Sequence, residues 1–177
     1  THKRDGFTDN LSTGQDLDDA DSISARVRFL YQPSDAFRAN FTAQIFDENR
    51  NGSAQKGLLD TTTDPRKLRQ NSKTEHKLEA SLYSMVLEWD YDAFSIKSLT
   101  SHQVDDILVR RDNDRNDAAY LPPFAQLPSE YDPETNKQTT ITQEFNIVSA
   151  QPYMGKLDWI AGFFYLDTEI DLSLIHI

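Results

Sequence analysis

Between Ala20 and Asp47, apolar and polar residues alternate with a period of two on both sides of a short polar break. Ile23, Ala25, Val27, Phe29 and Tyr31 alternate with Ser22, Ser24, Arg26 and Arg28. After Gln32-Pro33-Ser34-Asp35, the residues Phe37, Ala39, Phe41, Ala43 and Ile45 alternate with Arg38, Asn40, Thr42 and Gln44. Successive side chains of a strand point to opposite faces, so this pattern predicts a β-hairpin with one apolar and one polar face. The arginines, amides and hydroxyls of the second face require water or polar partners. Each arm is roughly 10 residues long, the length a tilted strand needs to cross a bilayer.

The unit recurs twice. From His76 to His102, Met85, Leu87, Trp89 and Tyr91 alternate with Ser84, Val86, Glu88 and Asp90, and Phe94 and Ile96 return against Ser95 and Lys97. Leu78, Ala80 and Leu82 have the opposite parity, which predicts either a β-bulge near Tyr83 or a strand that outruns the membrane. From Thr139 to about Asp167, Phe145 and Ile147 alternate with Glu144 and Asn146, the turn being Gln151 to Lys156. Leu157, Trp159, Ala161, Phe163 and Tyr165 then line one face, while Ile160, Gly162, Phe164 and Leu166 make the other face apolar as well. Lys3 to Asn10 reads as a strand end carrying Phe7.

Connections alternate between short and long. Turns at Gln32–Asp35, Asp90–Ala93 and Gln151–Lys156 take few residues. The polar stretches from Asp47 to Glu75 and from Val104 to Lys137 read as loops of roughly thirty residues, against about 4–6 in compact soluble domains. Pro122, Pro123, Pro128 and Pro133 argue against a central strand in the second of them. Tyr31, Phe37, Trp89, Tyr91, Phe94, Tyr153 and Trp159 gather beside the short turns, as in the interfacial girdle of a membrane barrel.

Here composition matters. No run approaches the roughly 20 apolar residues of a transmembrane helix, which excludes a helical membrane protein; a mean hydropathy of -0.66 does not exclude a barrel, whose strands expose only half their residues to lipid. A net charge of -11 argues against nucleic acid as a partner. Zero cysteines exclude thiol chemistry and disulfides. The opening Thr1 to Asp5 has no signal-peptide pattern, and Leu172 to Ile177 follows an acidic stretch, so the chain reads as an internal fragment: residues 1–171 a barrel piece, 172–177 an uncertain tail.

Several stretches resemble TonB-dependent outer-membrane receptors. They are Asp5-Gly6-Phe7 with Gly14 to Asp21, Leu87 to Asp90 with Phe94 to Ser101, and Thr142 to Ser149 with Leu157 to Tyr165; the last pair is the most specific. The resemblance covers the chain to about Asp171. It implies part of a barrel of about 22 strands, plugged by a preceding domain, that imports iron-siderophore complexes or other scarce nutrients. It also implies energy coupling through TonB, ExbB and ExbD, by parts this chain lacks.

Chemistry offers little else. The histidines His2, His76, His102 and His176 have no ligand spacing, and no nucleophile motif or phosphate loop appears. Asp16 to Asp21 and Asp112 to Asp117 resemble partial calcium loops without the required glycine and bidentate Glu, so solvated loop charge is the plainer reading. Sequons at Asn10, Asn40 and Asn51 are short enough to arise by chance.

The expected fold is all-β: an antiparallel transmembrane β-barrel, a fragment of about seven strands with short periplasmic turns and long extracellular loops. The expected role is nutrient uptake in the outer membrane, with an iron-siderophore complex as default cargo, no enzymatic activity and no cofactor. Expected partners are outer-membrane lipid, the plug and the TonB–ExbB–ExbD complex. The expected lumen face is Arg26, Arg28, Arg38, Asn40, Gln44, Glu88, Lys97, Glu144 and Asn146. The expected lipid-facing or girdle set is Val27, Phe29, Tyr31, Phe37, Phe41, Trp89, Tyr91 and Trp159. Tyr120, Phe124 and Tyr131 are candidates for ligand contact from the loops. The alternatives are a porin-like channel and a soluble β-sandwich binding module.

Overall fold

In a computed structural model that describes residues 1–121 and 131–174, the chain is all-β. Its strands are, in chain order, β1 (His2–Arg4), β2 (Thr8–Asn10), β3 (Asp16–Leu17), β4 (Ala20–Ser34), β5 (Phe37–Arg50), β6 (Lys67–Leu68), β7 (Glu75–Asp90), β8 (Phe94–Asp112), β9 (Tyr131–Ser149) and β10 (Ile160–Leu174). Seven of them pair as one antiparallel sheet in the order β1-β4-β5-β7-β8-β9-β10. The sheet is open, with β1 and β10 at its edges. β10 runs through Asp171 to Leu174 without a break, opposite Lys137 to Glu134.

The alternating hairpin forms as its pattern demands. Ser22–Tyr31 pairs without slippage against Glu48–Ala39, and the ladder becomes irregular only between Tyr31 and Ser34. Pro33 lies in that irregular step; it has no N–H to give to a ladder. The strand nevertheless reaches Ser34, and the turn narrows to Asp35 and Ala36.

The second hairpin corrects one expectation. β5 and β7 pair continuously from Phe37 opposite Trp89 to Arg50 opposite His76, so there is no bulge near Tyr83. The change of parity at Leu78, Ala80 and Leu82 is a change of surface chemistry along a regular strand. A second correction concerns the stretch from Val104 to Lys137. β8 extends to Asp112 and β9 begins at Tyr131, so much of that stretch is strand, Pro133 included. Among the described residues β10 pairs with β9 as far as Glu134, and at Pro133 the ladder with β8 continues, opposite Arg110. Pro133 stands near the start of β9, where a residue without an N–H costs the ladder least.

The 51–74 connection is also more ordered than its composition suggests. β6 from this segment joins β2 in parallel, and β2 pairs with β3, forming a small three-stranded sheet at the end opposite the short turns. The buried side chains concentrate here: Leu17 and Leu68 with Asn10, Gln70 and Thr74. In the large sheet Ala39 is the one buried apolar residue among the described ones. Phe7 falls between β1 and β2, half-exposed beneath the Arg4 guanidinium.

Side chains hold this loop unit. Gln15 donates to the Thr74 carbonyl (3.0 Å) and accepts from the Thr74 amide (2.9 Å), while Asn10 Oδ1 accepts from the amides of Ser12 and Gln70. Gly52 adopts φ +88°, and a Cβ there would press on the Thr74 side chain, so both conformation and space require glycine.

Leu17→Ala removes a fully enclosed side chain and is expected to destabilise the loop unit by about 2 kcal/mol, the low end for a buried leucine because the cluster is small. Native-state hydrogen exchange should quicken at Asn10 and Thr74 and stay unchanged at the β5–β7 amides. Equal acceleration in both sheets would show that they open as one unit.

Candidate functional site

Residues directly opposite each other in adjacent antiparallel strands share a face, so the register sorts every side chain. One row crosses the sheet as Arg38, Glu88, Lys97, Asn146 and Gly162. The next contains Asn40 and Glu144, with Val86 and Leu99 between them. A third runs through Arg28, Thr42, Ser84, Ser101 and Thr142, and a fourth contains Arg26 and Gln44. All nine residues of the expected polar set therefore lie on one face.

Seven of the nine are joined in three separate groups. Glu88 meets both Arg38 (3.4 Å) and Lys97 (3.1 Å), and Arg26 Nε donates to Gln44 Oε1 (2.8 Å). Asn146 donates to Glu144 and lies over Gly162, where a Cβ would overlap its oxygen. The Glu88 pairs are substantially exposed, so each contributes at most about 1 kcal/mol. Their value is arrangement. Hydroxyls of Ser84, Ser101 and Thr142 extend the face, and Ser101 and Thr142 bond to each other. Sequence reading missed them because Ser and Thr gain meaning only once three strands are in register.

The other face carries the expected apolar set. Val27, Phe29, Tyr31, Phe37, Phe41 and Trp89 share it with Leu87, Ile96, Phe145 and Phe163. Val27 is 69% exposed and Phe163 62%. Phe37 packs edge-on to Trp89 (5.1 Å), Trp89 stacks on Tyr91 (5.9 Å), and Tyr91 contacts Phe94 (4.9 Å), a continuous aromatic row at the short turns. Trp159 joins that end, its backbone exchanging hydrogen bonds with Ser149.

Two features interrupt the apolar face. Ser98, Thr100 and Gln143 make a polar inlay beside His102, with Thr100 donating to Gln143 (2.6 Å) and Gln143 donating to Ser98 (3.0 Å). Further from the turns comes the row Asp47, Glu79, Asp106, Lys137 and Asp171, every member exposed. On β10 both faces stay apolar and exposed, Phe164 and Leu166 opposite in direction to Phe163 and Tyr165.

The acidic loops are more than solvated charge, since their carboxylates accept hydrogen bonds. Asp18 accepts from Thr8 Oγ1 (2.8 Å) and the Ala54 amide (3.0 Å), and Asp19 accepts from the Asn51 amide (2.8 Å). Asp112 Oδ2 accepts from the Ser72 amide (3.0 Å) and its Oδ1 from the Arg115 amide (2.8 Å), clamping two long connections together. No group of three metal-ligating residues occurs among the described residues. Tyr120 lies under the Arg69 guanidinium at 3.8 Å; Phe124, His176 and the Tyr131 side chain lie outside the described residues.

Asp112 is 2% exposed. Burial pushes its carboxyl up to about 7, the hydrogen bond and charge of Asp114 adding to the rise while the Ser72 and Arg115 amides oppose it. The folded value lies above the unfolded 3.8, so this group's contribution to stability is complete below the unfolded value and is lost as pH rises through about 7. Exchange protection of the Ser72 and Arg115 amides, corrected for intrinsic chemistry, should fall from about pH 5 to about pH 8. Asp112→Asn should flatten the dependence. A flat profile in the unaltered chain would refute the assignment.

No protein-family model, no curated protein and no solved structure matches this chain.

Proposed function

We propose that this chain forms part of the wall of an outer-membrane TonB-dependent receptor, a transporter for a scarce nutrient with an iron-siderophore complex as the expected cargo. One observation carries the reading: at the turn end, a single register gives one face of a wide sheet an exposed apolar band and the other a set of charged, amide and hydroxyl side chains. In water the band is a large unsatisfied apolar surface. Against lipid it is an ordinary outer wall, with the polar face turned to a lumen.

Dimensions support this. From Phe37 to Ile45 the band runs about 27 Å along the strand, or about 21 Å along the axis of a barrel with strands tilted by about 40°, against roughly 25 Å for such bands. The aromatic row closes it at one end and the acidic row at the other. Apolar residues on the polar face, such as Leu78, Leu82, Phe164 and Leu166, are suited to contact with a plug or infolded loops. The TonB-coupled role comes from the local sequence resemblances.

Single cysteines at Val27, Phe41 and Phe163, with Arg28, Thr42 and Asn146 as controls, test the wall in lipid vesicles with a lipid-confined label. The first group should label at least tenfold faster. Equal exclusion of both groups from lipid would remove the membrane reading in favour of a soluble sandwich. With the wall established, uptake that persists after the proton gradient is collapsed would indicate a passive channel.

A further inference from the structure

A cavity of about 170 Å³ lies where the 51–74 connection meets the far end of the polar face. Its floor is the ends of three strands, with Arg50, His76, Val109 and Arg111. Ser53, Gln55, Gln70 and Thr74 form the opposite wall, and Asp112 closes one side. The frame is firm: Gln70 Nε2 donates to the Gln55 carbonyl (3.1 Å), Thr74 Oγ1 donates to the Asn51 carbonyl, and Asp112 holds the Ser72 amide.

Gln70 is 1% exposed, yet its Oε1 has no hydrogen-bond partner. A buried acceptor without a donor costs free energy, and something entering the cavity can supply that donor. Nearby, Arg50 lies 3.0 Å from Glu48, Arg111 lies 3.4 Å from Glu134 and Arg110 lies 2.9 Å from Glu75. These contacts compensate the guanidinium charges and leave most of their N–H donors unused. His76 is held towards its neutral form by burial and by Arg50, with Arg111 acting in the same sense. Burial likewise pushes Asp112 towards its neutral form. The cavity therefore offers donors and acceptors with little net charge, plus one apolar patch at Val109.

We propose that this cavity binds a small neutral polyhydroxylated solute, the size of a short polyol or a single sugar ring. Each hydroxyl both donates and accepts, which matches a lining of both kinds, whereas a strong anion or cation meets charges already paired. The volume equals roughly five or six waters and falls below the roughly 300 Å³ where drug-sized pockets begin, so a bulky metal chelate does not fit. The site needs no membrane and does not rest on the transport reading; a result against either leaves the other standing.

Saturation-transfer NMR on the purified full chain, in a detergent without a sugar headgroup, tests this with glucose, myo-inositol and sorbitol as probes and citrate and phosphate as anionic comparators. At least one polyol should receive transfer, neither anion should compete for it, and the Gln70 and Thr74 amides should shift on titration. Gln70→Met removes the orphan acceptor at similar volume, and Val109→Phe fills the space; each should reduce the transfer at least tenfold. Far-UV circular dichroism reports whether each variant keeps its strands, and either folded variant suffices. Absence of transfer from every polyol, undiminished transfer in a folded variant, or preferential binding of citrate or phosphate would overturn the proposal.

Discussion

The cross-strand ladder is the constraint on which the rest depends. A side chain's face is set by parity, so slipping one strand by one residue would exchange its polar and apolar sets. Unbroken pairing of Phe37–Arg50 with His76–Trp89, and of Phe94–Asp112 with Tyr131–Ser149, carries one assignment of faces across the sheet. The Arg38–Glu88–Lys97–Asn146 row and the Phe37–Trp89–Tyr91–Phe94 aromatics both follow from it. Neither needs a hydrophobic core to hold its position. Backbone hydrogen bonds in long strands supply the rigidity that packing supplies elsewhere.

The two ends of the sheet are held by different means. At the turn end, connections of two, three and ten residues join the strands and apolar groups stay exposed. At the far end a small sheet, buried leucines and aspartates bound to backbone amides make the one densely packed region among the described residues. Asp18, Asp19 and Asp112 serve there as clasps, since short acidic side chains readily accept from nearby amides in irregular backbone.

Much of this was legible in the sequence because a period of two is a local signal. Ile23 to Ile45 gave its faces from the letters alone, and so did Met85 to Trp89 and Leu157 to Tyr165 in part, although Leu157 bridges Tyr153 within the turn. Strand ends were less legible. Val104 to Asp112 lost its reading because acids interrupt it, yet Asp106 faces solvent on an extended strand and Asp112 is buried against backbone amides. Pro133 misled because its cost depends on where it falls in β9, close to the strand's start, a fact of pairing. The order within 51–74 was invisible for a related reason: Gln15, Asn10 and Asp112 hold that segment from distant positions, through single hydrogen bonds that leave no periodic trace.

The acidic row has a consequence of its own. Asp47, Glu79 and Asp106 stand opposite one another on adjacent strands about 4.8 Å apart, well inside the screening length of about 30 Å in 0.01 M salt or about 10 Å in 0.1 M. Their mutual repulsion strains the far end of the sheet in dilute solution and fades as counter-ions gather. At the aromatic end the charged row alternates in sign, Glu88 lying between Arg38 and Lys97, so salt there weakens attraction rather than repulsion. A single sheet thus answers ionic strength in opposite senses at its two ends.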